Sequence, residues 1–207
     1  MKIGLQTWGT DGDFMPFLAL AIGLKIAGHK VTLAYTTVDG KDYSDRPETE
    51  GIELISADGG IQPDENVNPY ALNTKPGSFG EYSKLLEIYF EPYTDAMYAA
   101  SEKLCTENEL VIGHAACVTL QIASQKHDCP RVSLVLTPLV VESKFISPIG
   151  KNLGSFVNAV MWKIGDLVSS KSWFKKAQAI RKQEGFKTIR SLQKQVFTSD
   201  TATIIAA

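Results

Sequence analysis

Membrane spans, metal fingers and disulfide frameworks each leave a mark that this sequence lacks. No run of eighteen uncharged apolar residues occurs along its 207 positions, so no helix is expected to cross a bilayer. The opening MKIGLQTWGTDGD has one Lys and only four more residues before Thr7 and a glycine turn, which is too short for the apolar core of a secretory signal. Cys105, Cys117 and Cys129 are odd in number and show no CxxC spacing, and no His lies at metal-finger distance from a Cys pair. Reduced thiols, no metal and a cytoplasmic location are therefore expected. The formal net charge of −2 lacks the basic footprint that nucleic acid would need. Internal repeats, low-complexity tracts and a GxxxxGK[ST] phosphate loop are also missing.

The charge is nevertheless uneven. Between Lys163 and Lys194 stand nine Lys or Arg against only Asp166 and Glu184, which leaves about −9 for the rest of the chain. Together with Trp162, Trp173 and Phe174, the segment 160–194 has two open readings: a solvated helical face, or a peripheral contact with an anionic membrane.

What the sequence does have is a regular alternation of apolar runs and helical periodicities. With 44% apolar and 21% charged residues, it is read as one globular domain over 1–207. KIGLQTW at 2–8 reads as a buried strand. A helix bracketed by Pro16 and Gly28 follows, and KVTLAYT at 30–36 reads as a second strand, giving a βαβ unit. IELISA at 52–57 is a third strand, and 58–80 is read as a long surface loop with Asp58, Asp64, Glu65 and Lys75. Helical spacing over 81–103 is predicted to divide at Pro92. Strands over 109–114 and 131–138 enclose a helix that closes before Pro130. Helices are predicted over 152–169 and 171–184, and TATIIAA reads as a last strand. The fold class expected is α/β, a Rossmann-like parallel sheet with helices on both faces.

In such sheets ligands bind at the carboxyl ends of the strands. The loops there are Trp8 to Asp13, 58–80, His114 to Cys117, and Thr137 to Pro148. Thr10, Asp11, Gly12, Phe14, His114, Pro138 and Phe145 are the residues expected to touch substrate. Asp13, placed at or beside a helix N-cap, has two readings: a cap for the free N–H groups, or a base in the cleft. Gly9 and Gly12 do not make a dinucleotide fingerprint, because Met15 stands where a third glycine would fall and Asp11 and Asp13 would repel a pyrophosphate. His114 ends a strand and is either structural or a cleft residue. His29 and His127, at helix ends, read as structural. Phe14, Phe145 and Pro148 could wall an apolar cleft, or be core.

GTDGDFMPFLALAIGLKIAGHKVTLA resembles the opening of the acceptor-binding domain of two-domain UDP-sugar glycosyltransferases of the GT-B fold. It is similar above all to the sterol and lipid glucosyltransferases and the antibiotic glycosyltransferases. HDCPRVSLVLTP, NLGSFVNAVMWKIGDLV and AIRKQEGFKT resemble later parts of that domain more weakly. Asp11 stands where relatives carry Arg. The resemblance implies an inverting transfer in which Asp13 is the catalytic base and the acceptor is a lipid, sterol or other aglycone. It implies no cofactor, and a UDP-sugar co-substrate bound mainly by a donor-binding domain beyond Ala207, whose His, Cys, Gly and Gly motif has no counterpart here. That domain is expected in cis or as a separate chain. A non-catalytic acceptor-binding subunit that recruits a donor-binding partner is the alternative, and a flavodoxin-like binding domain is a third.

Overall fold

The computed structural model describes residues 1–61, 79–137 and 141–206. Among them, strands β1 (Lys2–Gly9), β2 (Lys30–Thr37), β3 (Glu53–Ser56), β4 (Leu110–His114), β5 (Arg131–Val135) and β6 (Ala202–Ile205) form one sheet in the order β3-β2-β1-β4-β5-β6. Every neighbouring pair is parallel. The connections are helical: α1 (Asp11–Ile26), α2 (Phe79–Tyr89), α3 (Thr94–Glu107), α4 (Val118–Lys126), α5 (Ser155–Ser172) and α6 (Lys175–Gln183). This is the Rossmann-like parallel sheet expected, and its chain reversal lies between β1 and β4.

Period-two alternation along the strands supplies two cores, one for each face of the sheet. Ile3, Leu5, Val31, Leu33, Ile112, Val132 and Leu134 pack with Phe14, Phe17, Leu18 and Ala21 of α1. On the opposite face Ala34, Val111 and Val135 pack with Met97 and Leu104 of α3, Leu120 and Ile122 of α4, and Ala177 and Ile180 of α6. Gln6 is fully buried between β1 and α3 without an unmet group. Its amide donates to the Met97 carbonyl at 3.0 Å and its Oε1 accepts from the Ser101 hydroxyl at 2.7 Å.

Pro92 divides the long helical pattern, leaving α2 and α3 on either side. The edge strand β6 is held by a buried cation. Arg131 donates to the carbonyls of Val196 at 3.1 Å, Gln195 at 3.4 Å and Thr198 at 2.8 Å, and Ser133 donates to that of Phe197 at 2.6 Å. These carbonyls lie on the one-turn π-helix Gln193–Phe197 and the residue after it, so the last crossover is docked onto β5 by polar contacts.

Helix α5 is inverted. Its inward residues Asn158, Trp162, Asp166 and Ser170 hold irregular segments by hydrogen bonds. Asn158 accepts from the Leu153 N–H and donates to the Lys144 carbonyl, both at 3.0 Å. Trp162 donates to the Ile146 carbonyl at 2.8 Å. Asp166 accepts from the Gln193 N–H at 3.1 Å, and Ser170 from the Leu192 N–H at 3.0 Å. Of the aromatics that left a membrane contact open for 160–194, Trp162 and Phe174 do not reach the surface: both are buried, Phe174 against Phe90. No helix among the described residues is long and apolar enough to cross a membrane.

Candidate active site

Strand β1 runs into α1 through Gly9 and Thr10, and Thr10 takes the N-cap. Asp13 is therefore the third residue of the helix, not its cap. From there its side chain folds back, and Oδ2 accepts the Thr10 N–H at 3.0 Å, the reaching-back half of a capping box. Its backbone carbonyl accepts the Thr7 hydroxyl at 3.2 Å, which pins the first turn to the strand. Gly9 makes this possible. Its φ is +140°, and a Cβ there would lie 2.0 Å from Asp13 Oδ2, so only glycine leaves room for the carboxylate.

Across the chain reversal, His114 ends β4 and points Nε2 at Asp13 Oδ1, 3.5 Å away. Its Nδ1 accepts the Ala116 N–H at 3.2 Å. A neutral imidazole with Nδ1 so engaged carries its proton on Nε2, so it faces the carboxylate as a donor. Burial holds His114 below the ordinary histidine range, against the opposing pull of the Asp13 charge. The same burial pushes the neighbouring Cys117 thiol up, and Asp13 adds to the effect; Cys117 is thus a protonated packing group. Asp13 itself keeps about a third of its side chain exposed, whereas His114 exposes 14%. The arrangement is a half-open carboxylate, steadied on one oxygen by a backbone N–H and faced on the other by a buried imidazole. It can take a proton from a hydroxyl that arrives from solvent.

The remaining expected residues divide. Thr10, Gly12, Asp13 and His114 meet at the carboxyl ends of β1 and β4. Asp11 turns to the loop after β2, where it accepts the Tyr43 hydroxyl at 2.6 Å and pairs with Lys41; the Lys41 and Tyr43 bonds hold its carboxyl below the usual range. Its charge beside Asp13 is thereby matched. Phe14 does not line the cleft. It is core, stacked on Tyr43 with ring centroids 3.6 Å apart. Phe145 stands exposed between β5 and α5. Pro138 and most of the 58–80 loop, with Asp64, Glu65 and Lys75, lie outside the described residues; Asp58 accepts from Ser56 Oγ at 2.6 Å and from the Gly60 N–H at 2.8 Å. His127 sits 3.1 Å from Glu102 at the end of α4, and the His29 N–H bonds the Leu24 carbonyl past the end of α1.

Two things escaped the sequence reading. His114 was weighed apart from Asp13, yet the two form one unit, and the pairing of β1 with β4 is the only signal that joins them. Gly9, which makes no phosphate-loop pattern in the sequence, has instead the role of seating the carboxylate.

No protein-family model matches the chain, and no curated protein matches it in sequence. Solved structures match it in fold. The glycosyltransferase of kitacinnamycin is 15% identical with a TM-score of 0.55, the match covering 98% of this chain and 45% of that one. The glycosyltransferase VinC, solved with dTDP, is 17% identical with a TM-score of 0.55, covering 100% and 49%. The glycosyltransferase SnogD from Streptomyces nogalater is 13% identical with a TM-score of 0.50, covering 100% and 43%. The chain thus spans about half the length of the structures it matches, and it has the Rossmann-like fold of one GT-B half.

Proposed function

We propose that this chain is the acceptor-binding half of an inverting glycosyltransferase that moves a sugar from a UDP-sugar to a hydroxyl of a lipophilic acceptor, a lipid, sterol or other aglycone. The observation that carries the reading is the Asp13–His114 pair, 3.5 Å apart where the sheet reverses, on a fold shared with glycosyltransferases. The acceptor hydroxyl oxygen bonds to the anomeric carbon, the bond from that carbon to the diphosphate oxygen breaks, UDP leaves with the electron pair, and the hydroxyl proton passes to the Asp13 carboxylate. A carboxylate is a weak base toward an alcohol, so the proton moves late, once the oxygen has become acidic, and placement matters more than basicity. The Thr10 N–H and the His114 imidazole supply that placement. The donor is held mainly by a second domain or chain, consistent with a chain that spans half of its fold relatives.

The test is Asp13→Asn in the complete enzyme, assayed with UDP-glucose over a panel of lipid and phenolic acceptors. Asparagine keeps the size and the oxygen that accepts the Thr10 N–H. Turnover is expected to fall about 10²-fold or more, with a near-normal melting temperature and little change in apparent acceptor affinity. Turnover within a few-fold of the parent would leave the carboxylate as a helix device only.

A further inference from the structure

The outward face of α5 has no counterpart elsewhere in the described residues. Phe156, Val157, Val160, Ile164, Leu167 and Val168 are all exposed, Phe156 by 80% and Ile164 by 57%. At 100° per residue they fall within an arc of about 120°. The stripe is continuous and apolar. The preceding segment adds Phe145, Ile146, Ile149 and Leu153, also exposed, and the hydrogen bonds of Asn158 and Trp162 hold that segment against the helix. A contiguous apolar surface of this extent marks a contact site.

Charge narrows the occupant. From Ser143 to Ser172, the end of α5, the chain carries Lys144, Lys151, Lys163 and Lys171, all exposed, and a single acid, Asp166. Asp166 is turned inward, accepting from the Gln193 N–H and from Ser170. A second copy laid stripe to stripe would set these lysines against their own images. A surface that is apolar below and anionic at its rim satisfies both features at once.

We propose that α5 and the segment before it seat the protein on an anionic lipid bilayer, the apolar stripe entering the acyl boundary and Lys144, Lys151, Lys163 and Lys171 meeting the head groups. The contact lies on 144–171. It is reversible, because the helix is too short and too cationic at its rim to insert across the bilayer.

The experiment is co-sedimentation of the full chain with phosphatidylcholine vesicles, with and without phosphatidylglycerol. Binding is expected only to vesicles holding phosphatidylglycerol, and is expected to weaken as salt rises. The paired change Val160→Ser with Ile164→Ser, and separately Lys163→Gln with Lys171→Gln, should each lower vesicle partitioning at least about tenfold while leaving the melting temperature in place. Partitioning equal to the parent's in both variants overturns the proposal. So does a parent that binds neither vesicle. Light scattering that gives twice the chain mass, lost in the Val160→Ser with Ile164→Ser variant, replaces the lipid by a second copy. None of these readouts needs sugar transfer, so the outcome is separate from that of the Asp13 test.

Discussion

Helices α1 and α5 are sixteen and eighteen residues long and obey the same periodicity, yet they face opposite ways. In α1 the apolar residues Phe14, Phe17, Leu18 and Ala21 turn to the sheet and are buried. In α5 the residues turned inward are Asn158, Trp162, Asp166 and Ser170, which hold neighbouring segments by hydrogen bonds, while Phe156, Ile164 and Leu167 face out. The hydrophobic effect positions the first helix. Directional polar bonds position the second and leave its apolar stripe free for another surface. Amphipathic spacing therefore specifies that a helix has two faces, and only the partners in space decide which one is the core.

This contrast can be tested by treating equivalent positions alike. The largest effect is expected in α1: Phe17→Ala empties a fully buried site and should cost about 3–5 kcal/mol by denaturant unfolding. In α5 the large loss should come from a polar residue. Asn158→Leu leaves the Leu153 N–H and the Lys144 carbonyl without their partner and should cost about 1–3 kcal/mol; a neutral result would mean that packing also holds α5. A third effect lies where α1 begins. His114 is held below its ordinary range, so below pH about 6.5 the unfolded chain takes up a proton that the folded one resists, and stability is lost as pH falls. Unfolding at pH 7 and pH 5.5 should show the parent losing more than His114→Gln, by at most about 1.4 kcal/mol per pH unit. The smallest effect should come from the outer face of α5, where Ile164→Ser should move stability by no more than about 0.5 kcal/mol in the absence of lipid. A larger loss would show the stripe to be packed after all.

The strand and helix alternation was legible because it is local: period-two and helical spacings, Pro92 as a divider, and Gly28 after a helix. The α/β class follows from that alternation alone. The sheet order then places the ends of β1 and β4 side by side. The candidate site was legible only in part. Asp13 stood out by its place after the first strand, but its position as third residue of the helix, and not as cap, depends on Thr10 starting the turn. His114 could not be joined to it from the sequence, since the two are a hundred residues apart and meet only through strand pairing. Phe14 was ambiguous because its spacing suits core and cleft equally; stacking on Tyr43 decides it. The stripe at 156, 157, 160, 164, 167 and 168 is visible in the sequence, but its outward direction is not, because it is the hydrogen bonds of Asn158 and Trp162 that turn the other face inward.

The Asp13 carboxylate folds back over Gly9, with Oδ2 on the Thr10 N–H. A free aspartate samples several rotamers, and holding one of them at the moment a substrate binds subtracts from affinity. Here the N–H of the cap holds Oδ2 and the side chain lies against Gly9 before any substrate arrives. The ordering entropy is incurred when the chain folds, so in the transfer proposed above a hydroxyl reaching the ends of β1 and β4 would meet a carboxylate already in place.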